Sequence, residues 1–183
     1  MASDADRSLH PGQVPMADSP RRLFVLAALA TVALDLITKL IAEATLLRTP
    51  GISVIGDWFQ LRLVYNQGAA FGLHVGPYSR WIFFAVALVA VFVLARMSRD
   101  SPATDRFRQL ALGLVAGGAA GNLIDRIRSS RGVVDFLDVG IGAYRWPTFN
   151  VADIAVSCGA IALAISLWRE DARRSEAESV PAA

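Results

Sequence analysis

The sequence predicts an all-α membrane protein with four transmembrane helices and a small extracytoplasmic β-sheet and loop. Hydrophobic residues make up 54% of the 183 residues and charged residues 19%, whereas a soluble domain has ~45–50% and ~25%. The apolar residues are concentrated in four blocks close to the ~20 residues that a spanning helix needs. Arginines flank these blocks and aromatic residues lie near their ends, which is typical of membrane proteins.

The four helices are predicted at about 23–42, 81–97, 110–127 and 151–168. The almost complete lack of a polar face argues against four buried helices of a soluble protein. The first block loosely resembles a cleaved signal peptide, with an arginine pair before it and an Ala-Leu-Ala triplet within it. Its apolar helix continues past any cleavage point to Asp35 and Lys39, so we expect it to be retained.

The chain is predicted to have three parts. Residues 1–20 form a disordered cytoplasmic tail, 21–169 a membrane domain and 170–183 a cytoplasmic C-terminal tail. Four spans place both termini on one side, and arginines are more numerous in the tails and the middle loop than in the other two loops. This bias favours cytoplasmic termini.

A small sheet is predicted at about 52–66, between the first two helices. Apolar and other residues alternate over 59–66, which is the pattern of a half-buried strand, and 52–55 is a second strand candidate. Gly56-Asp57 between them is a turn signal. The following run of small residues, from Gly68, lets the backbone approach a neighbour closely.

Composition excludes several classes of function. The only cysteine, Cys158, cannot form an intramolecular disulfide or a cysteine-based zinc site. The two histidines, His10 and His74, lie far apart in sequence, which argues against a histidine-ligated metal. No basic stripe suited to nucleic acid is present. We therefore expect no cysteine- or histidine-ligated metal and no nucleic-acid partner.

Ionisable residues in spanning segments are costly and mark functional sites. Asp35 and Lys39, at positions i and i+4, share one face of the first helix. They form either an ion pair that anchors the helix end at the headgroups or one wall of a polar site.

Asn122, Asp125 and Arg126 form a second polar face, near the end of the third helix. Asp125 and Arg126 either neutralise one another or find separate partners, and a structural role is favoured for Asp125. Asn122 and Arg126 have hydrogen-bond donors that could hold a peptide carbonyl.

The third cluster begins the fourth helix. Asn150 is a candidate N-cap, and Asp153 lies within the membrane without a basic residue one turn away. Such a carboxyl is protonated or shares its charge with a partner. Asp135 and Asp138, in the outer loop before this helix, are candidate partners.

Two carboxyls that share a site have pKa values that are pushed apart, so that one acts as a base and the other as an acid. Acid–base hydrolysis of an amide needs this division of roles. The sequence offers no serine–histidine or cysteine–histidine set. A proton or ion pathway through the same aspartates is an equally weighted alternative, and a purely structural role stands slightly behind.

Five segments together resemble the bacterial lipoprotein signal peptidases, the type two signal peptidases of the aspartyl intramembrane protease class. In the order in which they occur in that family, they are DLITK at 35–39, NQGAAFG at 66–72, GNLIDR at 121–126, VVDF at 133–136 and FNVAD at 149–153. Each segment alone is a weak signal, whereas five in order are specific.

The resemblance implies that Asp135 and Asp153 are the catalytic pair. It implies that the substrate site is lined by Asn66, Asn122, Arg126 and Asn150 and supported by Asp35, Lys39, Gly68 and Asp125. The implied substrate is a prolipoprotein in the membrane, cut before a cysteine that carries a diacylglyceryl group. The implied inhibitors are globomycin-like peptides, and no metal or organic cofactor is implied. The implied location is the cell inner membrane, with the site near the extracytoplasmic face.

Overall fold

The computed structural model describes residues 20–68, 76–102 and 105–179. Four helices, each long and apolar enough to cross a membrane, confirm the predicted fold class. They are α1 (Pro20–Leu46), α2 (Ser79–Asp100), α3 (Arg106–Arg128) and α4 (Val151–Ser179). The tail predicted over 1–20 lies outside the described residues except for its last position, which begins α1.

Each helix is longer than its apolar block. The largest extension is in α4, which continues as a helix through most of the predicted C-terminal tail, as far as Ser179. Alanine, arginine and glutamate are frequent there, and all three favour helix. An ion pair of 2.6 Å joins Glu170 to Arg174 one turn later. Hydropathy therefore locates the part of a helix that lies in lipid, whereas residues with high helix propensity extend the helix beyond that part.

Helix α3 occupies the centre of the bundle because its glycines allow close approach on two sides. A Cβ on Gly117 would lie 2.7 Å from the carbonyl oxygen of Ala28 in α1. A Cβ on Gly118 would lie 2.5 Å from the carbonyl oxygen of Ala152 in α4. Small residues replace the hydrophobic effect as the cause of tight packing between membrane helices.

The sheet has four antiparallel strands in the order β1 (Ile52–Ile55), β2 (Phe59–Asn66), β3 (Val133–Ile141) and β4 (Tyr144–Arg145). The first two confirm the predicted strands. The segment around Asp135 was expected to be a loop and is instead β3, in register with β2 through the pair Val64 and Asp135. Its first four residues are all buried, so the strand lacks the alternation of a half-exposed strand.

The sheet is fixed to one end of the bundle by a small core. Ala42 and Leu46 of α1 pack against Phe136 of β3. The end of α3 leads into β3 through only a few residues, and the chain then returns through β4 to the start of α4. These connections bring the end of α3, the strand β3 and the first turn of α4 to one place.

Candidate active site

Asp135 lies on β3 and is 2% exposed. Two side-chain amides donate hydrogen bonds to its carboxyl group: Asn66 Nδ2 to Oδ2 at 3.1 Å and Asn150 Nδ2 to Oδ1 at 2.7 Å. Burial, followed by the negative charge of Asp153, raises the pKa of Asp135 to about 7, against the lowering effect of the two amides. This carboxyl can therefore hold a proton near neutral pH.

Asp153 lies in the first turn of α4 and is held by a reciprocal cap. Its backbone N–H donates to Asn150 Oδ1 at 3.0 Å, and the backbone N–H of Asn150 donates to Asp153 Oδ2 at 3.1 Å. This is the geometry of a capping box, so Asn150 is the N-cap that the sequence predicted. The other oxygen, Oδ1, accepts a hydrogen bond of 2.9 Å from Asn122 Nδ2.

The two asparagines connect the two aspartates. Asn122 Oδ1 accepts from Asn150 Nδ2 at 3.1 Å, and the same nitrogen donates to Asp135. Asp135 and Asp153 both line one cavity of about 400 Å³. The structure thus brings together the two carboxyls that the resemblance paired.

A buried ion cluster supports this arrangement from behind. Lys39 is completely buried, and its Nζ lies 2.7 Å from Asp35 Oδ2 and 2.9 Å from Asp125 Oδ2. It also donates to Asn122 Oδ1 at 2.9 Å. The other oxygen of Asp35 accepts the backbone N–H of Ala152 at 2.9 Å, in the first turn of α4. Of the two readings of Asp35 and Lys39, the structure favours the wall of a polar site.

Asp125 and Arg126 have separate partners. Besides Lys39, Asp125 accepts the side chain of Arg128 at 3.0 Å and the backbone N–H of Val134 at 3.1 Å. It therefore fixes the start of β3 to the end of α3. Arg126 donates instead to the carbonyl oxygen of Gly68 at 2.9 Å and to its own helix at the carbonyl oxygen of Asn122.

The turn after β2 orients Asn66. The backbone N–H of Gly68 donates to Asn66 Oδ1 at 2.9 Å, which leaves Asn66 Nδ2 directed at Asp135. The remainder of the small-residue segment predicted for close approach, 69–72, lies outside the described residues.

Of the predicted binding residues, Asn66, Asn122 and Arg126 line the cavity. Asn150 is fully buried and contacts the two aspartates instead. Asp138, the other candidate partner, pairs with Arg145 at 2.7 Å.

Sequence analysis missed one segment of the cavity wall. The backbone between β4 and α4 contributes residues to the cavity, and they have no ionisable group or periodicity that could have indicated this: Trp146, Pro147, Thr148 and Phe149. Pro147 and Thr148 also line a second cavity, of about 410 Å³, which shares Asn66 and Asp135 with the first. Asp135 therefore lines two cavities, and Pro147 and Thr148 belong to the walls of both.

Residues 27–169 match the family described as signal peptidase (SPase) II, Peptidase_A8. The chain belongs to this family. A lipoprotein signal peptidase of Oleidesulfovibrio alaskensis is 41% identical over 150 residues, which cover 80% of this chain and 94% of the relative. One of Geobacter metallireducens is 37% identical over 156 residues, covering 85% and 96%.

A solved structure titled as a bacterial membrane enzyme at 2.3 Å resolution has the same fold. Its TM-score is 0.73 at 31% sequence identity, over 82% of this chain and 90% of that one. This chain is thus a multi-pass bacterial membrane protein and a protease of the signal peptidase II type, an aspartic peptidase.

Proposed function

We propose that this signal peptidase II removes the signal peptide from prolipoproteins that carry a diacylglyceryl group, cutting before the modified cysteine, and that Asp135 and Asp153 are its catalytic pair. One observation carries the assignment of residues: the two carboxyls line one cavity and are joined through Asn122 and Asn150. The names of the relatives supply the class of substrate.

The mechanism follows from the unequal surroundings of the two groups. Asp135, with a pKa of about 7, carries the shared proton and donates it to the oxygen of the scissile carbonyl. Asp153 in its ionised form takes a proton from a water molecule, whose oxygen attacks the carbonyl carbon. The tetrahedral intermediate collapses as the C–N bond breaks and the proton on Asp153 passes to the leaving nitrogen. The proton that Asp135 gave up returns from the hydroxyl of the intermediate.

The polar residues of the cavity wall hold the peptide. Arg126 and Asn66 line the cavity beside Asp135, and each has one side of its polar group fixed by the Gly68 turn. Donors held in this way can bind peptide carbonyls without reorganisation. Asn122 and Asn150 serve to orient the two aspartates, and Lys39, Asp35 and Asp125 support them.

The substrate reaches the site from the bilayer. Part of the cavity wall is a stretch of α4 that includes Ile154 and Val156, next to the catalytic Asp153. Acyl chains that stay in the lipid contribute ~0.8 kcal/mol for each buried CH₂ group, which favours the lipidated precursor. We place both termini in the cytoplasm and the sheet at the extracytoplasmic face of the cell inner membrane, and globomycin-like inhibitors in this cavity.

The experiment uses purified protein, a diacylated precursor peptide and mass analysis of the products. We expect Asp135→Asn and Asp153→Asn each to lower cleavage by roughly 1000-fold, because acid–base groups contribute about that much. Asp57→Asn is the matched control, since Asp57 is an exposed carboxylate in the turn between β1 and β2. All three variants should retain the helical circular dichroism of the parent protein. Cleavage by either active-site variant at the parental rate would overturn the assignment, as would aspartate-dependent ion flux without proteolysis.

A further inference from the structure

A separate cavity of about 520 Å³ lies at the end of the bundle opposite the sheet. Its walls come from the start of α3 and the last part of α4. On α3, Arg108 of this cavity and Asn122 of the peptidase site are 14 residues apart, so at ~1.5 Å per residue they lie roughly 21 Å from each other along the helix. Four arginines and two acidic residues line it: Arg108, Arg169, Arg173, Arg174, Asp105 and Glu170.

The two carboxylates of this cavity already form ion pairs with arginines. Arg108 is buried and pairs with Glu170 at 2.5 Å and with Asp105 at 3.4 Å. Arg174 pairs with the other oxygen of Glu170 at 2.6 Å. Asp105 also caps α3 by accepting the backbone N–H of Arg108 at 2.9 Å. Both acidic side chains therefore have their charge balanced within the protein.

Arg169 and Arg173 remain without a carboxylate. They lie one helical turn apart on α4, and neither forms an ion pair with any of the described residues. The guanidinium of Arg169 lies 5.9 Å from the ring centre of Phe107. A concave surface with two unbalanced guanidinium groups fits an anion, and arginine matches the geometry of phosphate oxygens.

The exposed apolar residues beside the cavity indicate which kind of molecule carries the phosphate group. Trp168 is 73% exposed next to Arg169, and Leu167 and Phe107 are also exposed at this level. An exposed tryptophan at the end of an apolar helix marks the interface between acyl chains and headgroups. We propose that this cavity binds the phosphate headgroup of an anionic phospholipid, with the acyl chains against the apolar residues beside it. In the orientation given above, the lipid belongs to the cytoplasmic leaflet.

The test measures lipid binding to the full-length protein in neutral detergent by native mass spectrometry. The probes are short-chain phosphatidylglycerol, phosphatidylcholine with the same chains, and inorganic phosphate at equal concentration. We expect phosphatidylglycerol to bind to the parent protein and to bind roughly 30-fold more weakly to the double variant R169Q/R173Q, because two interfacial arginines are removed. The double variant R99Q/R106Q is the matched control, since it removes two exposed arginines at the same end that do not line the cavity.

Three results would overturn the proposal. Equal weakening in R99Q/R106Q would mean that net charge, not this cavity, attracts the lipid. Equally tight binding of phosphatidylcholine would mean that the unbalanced arginines do not select the headgroup. Competition by inorganic phosphate at the same concentration would mean that the site takes the free anion. Both double variants should cleave a detergent-solubilised precursor at the parental rate, so failure of this proposal and failure of the peptidase assignment are distinguishable.

Discussion

The amide group of Asn122 is fixed in one orientation by its neighbours. Its Oδ1 accepts from Lys39 Nζ and from Asn150 Nδ2, so that its own Nδ2 must face Asp153. A reversed amide would place Nδ2 beside the two donors and Oδ1 beside a carboxylate. Lys39 therefore acts on Asp153 indirectly, by ordering the asparagine that donates a hydrogen bond to it.

We expect Lys39→Met to destabilise the protein strongly. Asp35 would be left as a buried carboxylate without a cation and Asp125 would keep only Arg128, and breaking a buried pair in this way costs about 3–5 kcal/mol. The measurement is the free energy of unfolding by denaturant in detergent micelles. Arg96→Met is the control: its ion pair with Asp100 is exposed, so its loss should cost less than about 1 kcal/mol. Equal effects of the two changes would contradict the role of Lys39.

The pH dependence of cleavage reports the proton on Asp135. Its pKa in the folded protein is raised to about 7, so the carboxyl is protonated below that pH and loses its proton above it. We expect kcat/KM to decline above about pH 7 because the acid is then lost. The free energy of unfolding should also decrease as the pH rises towards 7, since the folded state binds this proton more tightly than the unfolded state.

Asn66→Ala separates this carboxyl from other titrating groups. The hydrogen bond from Asn66 favours the charged form of Asp135 and lowers its pKa. Its removal should shift the alkaline limb of kcat/KM to higher pH. Gln60→Ala, on the same strand but bonded to the exposed Asp57, should leave the limb in place. A limb that does not move in Asn66→Ala would assign the titration to another group.

Spacing along the sequence predicts contacts within a helix and no others. It gave the pair of Asp35 and Lys39, because residues four apart share a helix face. It gave no indication that Lys39 also binds Asp125, which is on another helix. The choice of Asp135 over Asp138 came from the resemblance, and the structure adds a physical reason, since Asp138 is neutralised by Arg145.

Among the elements, β3 is the one that the alternation of apolar and polar residues did not predict. The strands β1 and β2 were predictable because one of them alternates and a turn signal separates them. The first four residues of β3 are all buried, whichever face of the sheet they lie on. A strand covered on both sides has no period of two to detect. The helices were found by hydropathy, but their ends lie outside the apolar blocks, where hydropathy gives no signal.

The close contact between α3 and α4 positions the first turn of α4, which carries Asp153. We expect Gly118→Ala to lower both stability and cleavage, because the added Cβ would lie 2.5 Å from the backbone of Ala152, one residue before Asp153. Overpacking of this kind costs about 1–3 kcal/mol. Thermal unfolding and the rate of precursor cleavage are the two measurements. Ala160→Val enlarges an exposed position of α4 and should change neither. A fully active Gly118→Ala variant would show that the first turn of α4 can move without displacing Asp153.

At the scale of the whole molecule, the sheet and the helix bundle each supply part of the candidate active site. Helices α1, α3 and α4 supply the ion cluster and one aspartate, and the sheet supplies the other aspartate through β3. No pair of consecutive elements contains the site. The sheet must therefore dock on the bundle before Asp135 and Asp153 can line the same cavity.

Entry of the substrate from the lipid can be tested with the single cysteine of the chain. Cys158 is exposed and lines the same cavity as Asp153. We expect a bulky maleimide on this thiol to lower cleavage of the diacylated peptide by about tenfold or more, because the adduct fills space that the substrate occupies. A methylthio adduct is small and should have less than about a twofold effect. Cys158→Ala treated with the same reagents is the control for reaction elsewhere. Full activity of the bulky adduct would show that the substrate does not occupy the part of the cavity next to Cys158.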